Sequence, residues 1–361
     1  MQKREQLFFR EKLMAWLEQS HRPLPWKGEK DPYLIWLSEV ILQQTRVEQG
    51  LPYFERFRER YPTVRHLAEA PEDEVMKLWE GLGYYSRARN LHAAARHIAR
   101  KLGGRFPDTY EGIRQLKGVG PYTAAAIASF AFGLPYAVVD GNVFRVLSRF
   151  FGIDTPVDTT AGKKEFTSLA EELLDPRQPG RYNQAIMDFG ATHCTPKKPA
   201  CPACPLRPAC TALRDGKTDA LPVKAKKPEK RHRFFHYLVI THEGRYLLNK
   251  RTEKDIWQNL YEFPLLELPH ASREEEEIRS SLLWQQLLGG QPAVVSHISG
   301  AYQQLLTHQK IIATFWKVSL PRNASLNPGP FLAVSRENLS KFAFPKIINR
   351  YLGESQLTLF L

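Results

Sequence analysis

The stretch LKGVGPYTAAAIASFAFGLPYAVVDGNV, residues 116–143 of a 361-residue chain, constrains the rest of the fold more than any other. Two glycines bracket Val119 between a short segment, 109–115, and an alanine-rich run, 123–132, so Gly118, Val119 and Gly120 are expected to turn tightly between two helices. Asp108 is the expected N-cap of the first helix, and Pro121 suits the opening turn of the second. Backbone without side chains can approach another molecule closely there, and the next helix turns its N-terminal N–H groups outward, as a phosphate site requires. An ordinary helical hairpin carries the same glycines, so G-V-G alone leaves both readings open. The stretch ends in Val139-Asp140-Gly141-Asn142, ahead of an apolar-periodic helix through Val143, Val146 and Leu147. Asp140 there is either a helix cap or a reactive carboxylate. Asn142 stands closer to the periodic run and is expected to take the capping role, leaving Asp140 for chemistry.

A second carboxylate lies in an apolar setting. Asp31-Pro32 offers an N-cap and a first-turn proline for a helix from Tyr33 to about Gln44, in which Ile35, Trp36, Leu37, Val40, Ile41 and Leu42 surround Glu39. A carboxyl group so placed is either paired with a cation or kept partly protonated by desolvation. The segment WEGLGYYSRARN, 79–90, combines glycines, paired tyrosines and alternating arginines. It reads as a helix start with a solvated face, or as a base-stacking wedge flanked by phosphate ligands.

Charge points to a polyanionic partner, with a merely basic enzyme as the bland alternative. The net charge is +13 and the isoelectric point about 9.5. Residues 181–233 hold 12 Lys or Arg against 4 Asp or Glu, a net +8, so most of the excess lies beside the cysteines. Cys194, Cys201, Cys204 and Cys210 follow the spacing C-x6-C-x2-C-x5-C. With no secretory signal a disulfide framework is disfavoured, and metal binding is the better reading. Zinc sites more often carry two C-x2-C pairs, whereas four thiolates within 17 residues can hold a cubane iron–sulfur cluster; spacing alone leaves both open. No run is apolar enough to span a membrane, so a cytoplasmic place of work is expected.

Residues 116–127 and 138–153 resemble the helix–hairpin–helix DNA glycosylases, and within them the adenine-removing branch. The resemblance implies that Gly118, Val119 and Gly120 hold phosphate and that Asp140 is the catalytic carboxylate, with Asn142 beside it. Strand-nicking relatives carry an attacking lysine two residues after G-V-G; here that position is Tyr122, so no amine nucleophile is available. SEVILQQT matches the segment whose glutamate, Glu39 here, serves as general acid. Gln43, Gln44 and Thr45 then fall where the family wedges the duplex and contacts the base opposite the target. Lys27 follows Trp26 where an arginine is expected beside the adenine pocket, a departure from the pattern. Leu82 and Tyr84 fall at intruding positions of the duplex-probing loop. The cysteine spacing matches the family's [4Fe-4S] loop, with Lys197, Lys198 and Arg207 facing phosphate, and the 183–190 segment, NQAIMDFG, also matches.

The texture changes after residues 214–233, RDGKTDALPVKAKKPEKRHR, which read as a basic linker. Residues 235–240 and 246–250 read as a hairpin about Glu243-Gly244, 310–320 as another strand, with helices beginning near Ser272 and Pro345. WQNLYEFP, 257–264, resembles an appended Nudix domain. A working Nudix site needs Arg-Glu-x-x-Glu-Glu, and Arg273 followed by four glutamates lacks that spacing, so the run is read as a solvated helix face. The family reads 8-oxoguanine through Phe-Ser-His; the nearest match, Leu306-Thr307-His308, lacks the aromatic ring.

The expected protein is therefore multi-domain. An all-helical glycosylase domain spans 1–213, with the helix–hairpin–helix at 109–132 and the cluster loop at 194–210, and a Nudix-like α/β domain spans 234–361. A monomeric, monofunctional enzyme acting on double-stranded DNA with adenine opposite 8-oxoguanine or guanine is implied. The alternatives are another glycosylase of the superfamily, for oxidised pyrimidine or mismatched thymine, or a non-catalytic iron–sulfur DNA-binding protein.

Overall fold

Local signals start and stop the helices that position the two carboxylates. Asp31 accepts the Tyr33 N–H, Pro32 occupies the first turn, and eight of the eleven residues of helix Pro32–Leu42 are buried, Glu39 among them. The helix stops at Leu42, short of the expected Gln44, which instead takes a positive φ of 55°. Helix Tyr110–Arg114 is capped by Thr109, whose hydroxyl accepts the Gly112 N–H, and not by Asp108 as expected. Threonine competes well here because it is the residue next to the first helical turn and already has extended backbone. Helix Pro121–Phe132 begins as expected and ends at Gly133 in the left-handed region. Gly118 has φ +81°, and a Cβ there would meet the Asn90 side chain at 2.6 Å, so the turn needs glycine on both counts.

This computed structural model describes residues 3–20, 22–225, 229–289, 291–321, 324 and 329–357. The chain divides into two units by contact, one of Met1–Glu69 with Asn90–Lys227 and one of Ala70–Arg89 with Pro228–Leu361. Among its described residues the first unit is helical throughout, and its core joins Phe9 and Leu13 of helix Lys3–Gln19 to Val143, Leu147, Phe150, Phe166 and Phe189. Helix Pro179–Thr192 packs tightly on helix Gly141–Phe151, because a Cβ at Gly190 would meet the Asn142 Cβ at 2.6 Å. Part of the basic stretch 214–233 lies on this unit. Leu221 is buried, its carbonyl accepts Arg149 Nε at 3.1 Å, and Val157 N–H donates to the Val223 carbonyl at 3.0 Å.

Among its described residues the second unit holds a mixed sheet of eight strands: β1 Arg231–His242, β2 Arg245–Lys250, β3 Tyr261–Glu262, β4 Leu265–Leu268, β5 Val294–Ile298, β6 Tyr302–Leu305, β7 Gln309–Ser319 and β8 Leu332–Ser335. β1 and β2 form the expected hairpin. β1 also pairs in parallel with β7 over the register Arg231 to Gln309 through Thr241 to Ser319, which requires the long crossover between them. β6 and β7 make an antiparallel hairpin whose tip carries residues 306–308. The glutamate-rich segment forms only the short helix Glu275–Arg279, followed by Leu282–Leu288, and the last helix is Lys346–Leu357. No helix among the described residues is long and apolar enough to cross a membrane.

Candidate active site

A cleft of about 580 Å³ in the helical unit is lined by Glu39, Tyr122, Asp140 and Asn142, brought together from three helices. Glu39 reaches it from the apolar helix Pro32–Leu42 and is only 7% exposed. Burial pushes its carboxyl up to about 7, the Tyr122 hydrogen bond opposes that rise, and the nearby Asp140 adds to it. The Tyr122 hydroxyl donates to Glu39 Oε2 at 2.6 Å, and burial together with the two carboxylates holds that phenol well above its usual range. A carboxyl group balanced near neutrality can give up a proton at working pH, and its second oxygen is held by a fixed donor.

Asp140 caps a helix and also lines the cleft. It is the N-cap of helix Gly141–Phe151, with Oδ1 accepting the Asn142 and Val143 N–H groups, each at 2.8 Å. Asn142 is not the cap: it lies inside the first turn, where its Nδ2 donates to Asp140 Oδ2 at 2.8 Å. Capping uses one carboxylate oxygen, and the other is oriented by an amide, so a cap can also face the cleft. Burial raises the Asp140 pKa, against the lowering effect of these hydrogen bonds and of Arg145.

Arg145 and Arg149 were not singled out from the sequence. Arg145 joins Asn142 Oδ1, at 2.8 Å, to the carbonyls of Gly190 and Cys194, at 2.6 and 2.7 Å. Arg149 is buried one turn on, donating to the Thr195 and Pro196 carbonyls and lying 3.5 Å from Cys194 Sγ. The signal was legible: two arginines four residues apart on the buried side of an otherwise apolar helix must each find acceptors. Asp188, read from the sequence only as part of the matching 183–190 segment, is buried and pairs with both Arg22 at 2.7 Å and Lys27 at 2.6 Å at the edge of the cleft.

The four cysteines line one small cavity with Arg149 and His193, and none is in a disulfide. Burial raises the thiols of Cys201, Cys204 and Cys210, and the neighbouring thiols add to the rise; Cys204 is pushed up to about 11, chiefly by burial, against the lowering effect of a backbone hydrogen bond from Leu206. Among the described residues no three His, Cys, Asp or Glu side chains converge on a single metal-ion position. Four thiols lining one cavity are a donor set that fits either a zinc ion or a multinuclear cluster.

The remaining expected contacts divide between the units. In the helical unit Gln43 Nε2 donates to Thr123 Oγ1 at 3.1 Å, Thr45 lines the cleft, and Val119 is buried under the hairpin while Gly120 has open space where a Cβ would sit. In the other unit Leu82 is buried and Tyr84 is 47% exposed with φ +47°. Thr307 and His308 are exposed at the β6–β7 tip, with Thr307 Oγ1 3.3 Å from the Tyr84 hydroxyl.

Two family models match, the HhH-GPD superfamily base excision DNA repair proteins over residues 37–176 and the NUDIX domain over residues 236–354. The chain is 37% identical over 257 residues to the adenine DNA glycosylase of Buchnera aphidicola subsp. Acyrthosiphon pisum, covering 71% of this chain and 73% of that one. It is 45% identical over 213 residues to the human adenine DNA glycosylase, covering 56% of this chain and 39% of the human one. Among solved structures, a thermostable thymine-DNA glycosylase aligns with a TM-score of 0.55 at 30% identity, covering 59% of this chain and 98% of that one.

Proposed function

The chain belongs to the adenine DNA glycosylases of the HhH-GPD superfamily, enzymes that act on adenine in DNA, and from that premise we propose that it removes adenine paired with 8-oxoguanine or guanine without cutting the strand. The observation that carries the reading is the cleft in which Glu39, with its carboxyl near 7, faces the same space as Asp140. Adenine must leave the stack to reach such a recess, so the target nucleotide is flipped. Glu39 delivers its proton to the departing base, Asp140 stabilises or traps the cationic sugar, and water completes the exchange, the division of labour between two carboxylates in glycoside hydrolysis. Tyr122 keeps Glu39 aimed and offers no amine to the sugar. The hairpin at Gly118, Val119 and Gly120 holds the backbone, with Gln43, Gln44, Thr45 and Tyr84 entering the duplex, while Leu82, expected beside Tyr84, is buried.

Cys194, Cys201, Cys204 and Cys210 would hold a [4Fe-4S] cluster, which when bound supplies a tie that fixes the 194–210 loop. Lys197, Lys198 and Arg207 on that loop serve the phosphate backbone. The Nudix-like unit reads the base opposite the target through Thr307 and His308 and does not hydrolyse nucleotides, since its glutamates lack the spacing that holds magnesium.

Incubation with duplexes carrying A opposite 8-oxoguanine, A opposite G, T opposite G or an oxidised pyrimidine, followed by alkali, tests this. Strand breakage that requires alkali and occurs at adenine is expected. Release of a pyrimidine, or a covalent adduct trapped by borohydride, would overturn it.

A further inference from the structure

Residues 70–89, which hold the glycine- and tyrosine-rich loop, belong by contact to the sheet-bearing unit although the chain on either side of them belongs to the helical one. The attachments are polar and specific. Glu80 Oε1 accepts the Phe344 N–H at 2.7 Å and Asn349 Nδ2 at 3.0 Å. Its Oε2 pairs with Lys77, whose Nζ also donates to the Phe342 carbonyl at 3.0 Å. Before it Asp73 accepts from Lys250 Nζ at 2.6 Å and from the Tyr261 hydroxyl at 3.0 Å, and after it Arg89 Nη1 donates to the Gln258 carbonyl at 2.7 Å. Inside the loop, Trp79 Nε1 and Arg87 Nη2 both donate to the Gly83 carbonyl, at 3.0 and 3.2 Å, which sets the turn into Tyr84.

The same loop places the Tyr84 hydroxyl 3.3 Å from Thr307 Oγ1. A single neutral hydrogen bond between two exposed side chains holds little by itself. A carboxylate that takes a backbone N–H and a side-chain amide four residues upstream is a stronger and more directional anchor.

Building on the reading of Thr307 and His308 as opposite-base contacts, we propose that Glu80 is a positioning residue that fixes the Tyr84 loop to the β6–β7 tip, so that Tyr84, Thr307 and His308 meet the duplex as one reading head. Discrimination of the opposite base then depends on Glu80 acting through Tyr84 and the β6–β7 tip.

The test uses full-length protein. Hydrogen exchange of Glu80→Ala should show faster exchange in both 81–86 and 305–309; a change confined to 342–349 overturns the proposal. Single-turnover rates should show the preference for A opposite 8-oxoguanine over A opposite G falling about fivefold or more, the scale of one lost base contact. The rate on A opposite G should fall less than the rate on A opposite 8-oxoguanine, because only the latter also loses a contact to the oxidised base. Glu80→Gln, which keeps the accepting oxygen, should retain the preference. Asn349→Ala, which removes one donor and leaves Glu80, should move the same two segments in the same direction should Glu80→Ala prove poorly folded. An unchanged preference in Glu80→Ala where Thr307→Val lowers it refutes the role of Glu80 alone. An unchanged preference in Thr307→Val refutes the opposite-base reading, and the exchange data then decide the loop attachment independently.

Discussion

Replacing Glu39 by glutamine should make the protein more stable and less active, and the pH dependence of the stability gain identifies the cause. In the folded chain the Glu39 carboxyl sits at about 7 against 4.5 for an ordinary glutamate, mainly because burial disfavours its charge. Between those values the unfolded state has released the proton and the folded state has kept it, so stability falls as pH rises through that window and is flat on either side. The full displacement corresponds to about 3 kcal/mol of destabilisation above pH 7 that is absent below pH 4.5. Glutamine has nearly the same shape, can still accept from the Tyr122 hydroxyl through its carbonyl oxygen, and never ionises. Denaturant melts of both proteins from pH 4.5 to 8.5 should therefore diverge, with Glu39→Gln ahead by up to about 3 kcal/mol at the alkaline end. In parallel, single-turnover adenine release by the parent should decline by about tenfold for each pH step above 7, while Glu39→Gln is slow throughout. A stability difference that does not vary with pH would refute the buried-acid argument. Activity retained by Glu39→Gln would refute the proton-donor role even if the stability curves behave as expected.

Asp140→Asn should leave stability within about 1 kcal/mol, since asparagine caps helices about as well as aspartate, while base release falls by about a hundredfold or more. Melting and single-turnover rates check this together, and near-parental activity in a folded variant would remove Asp140 from the chemistry. Gly118→Ala and Gly120→Ala should separate folding from DNA contact. The first forces a side chain into φ +81° against Asn90 and should cost about 1–3 kcal/mol, read as a lower Tm. The second meets nothing within 4 Å and should cost no more than about 1 kcal/mol while weakening duplex binding at low salt; unchanged affinity would argue against phosphate contact at Gly120. Elemental analysis of anaerobically isolated protein should find about four iron and matching sulfide per chain, and one zinc without iron would refute the cluster assignment.

Helix starts, the glycine turn and the division into helical and strand-rich portions were legible from residues near one another in sequence. Asp31-Pro32 before an apolar run, G-V-G-P before an alanine-rich one, and alternation around Glu243-Gly244 each act over a few residues, and the chain adopts them where expected. Both catalytic candidates could also be named this way, because a carboxylate in an apolar helix and another before a helix are local anomalies. What the tertiary structure decided depends on distance along the chain. Competition between Asp140 and Asn142 for the cap was not settled by position alone: Asn142 Oδ1 takes Arg145, and Arg145 is held in turn by the Gly190 and Cys194 carbonyls, more than 40 residues away. Which expected DNA-contact side chains are exposed was equally hidden: Leu82 and Tyr84 are two residues apart, yet one is 5% exposed and the other 47%. Attachment of the 70–89 segment to strands and helices more than 150 residues away rests on Asp73, Glu80 and Arg89, which in sequence look like any solvated charges. A charged side chain shows its role only through the partner that desolvates or binds it, and that partner is chosen by the fold.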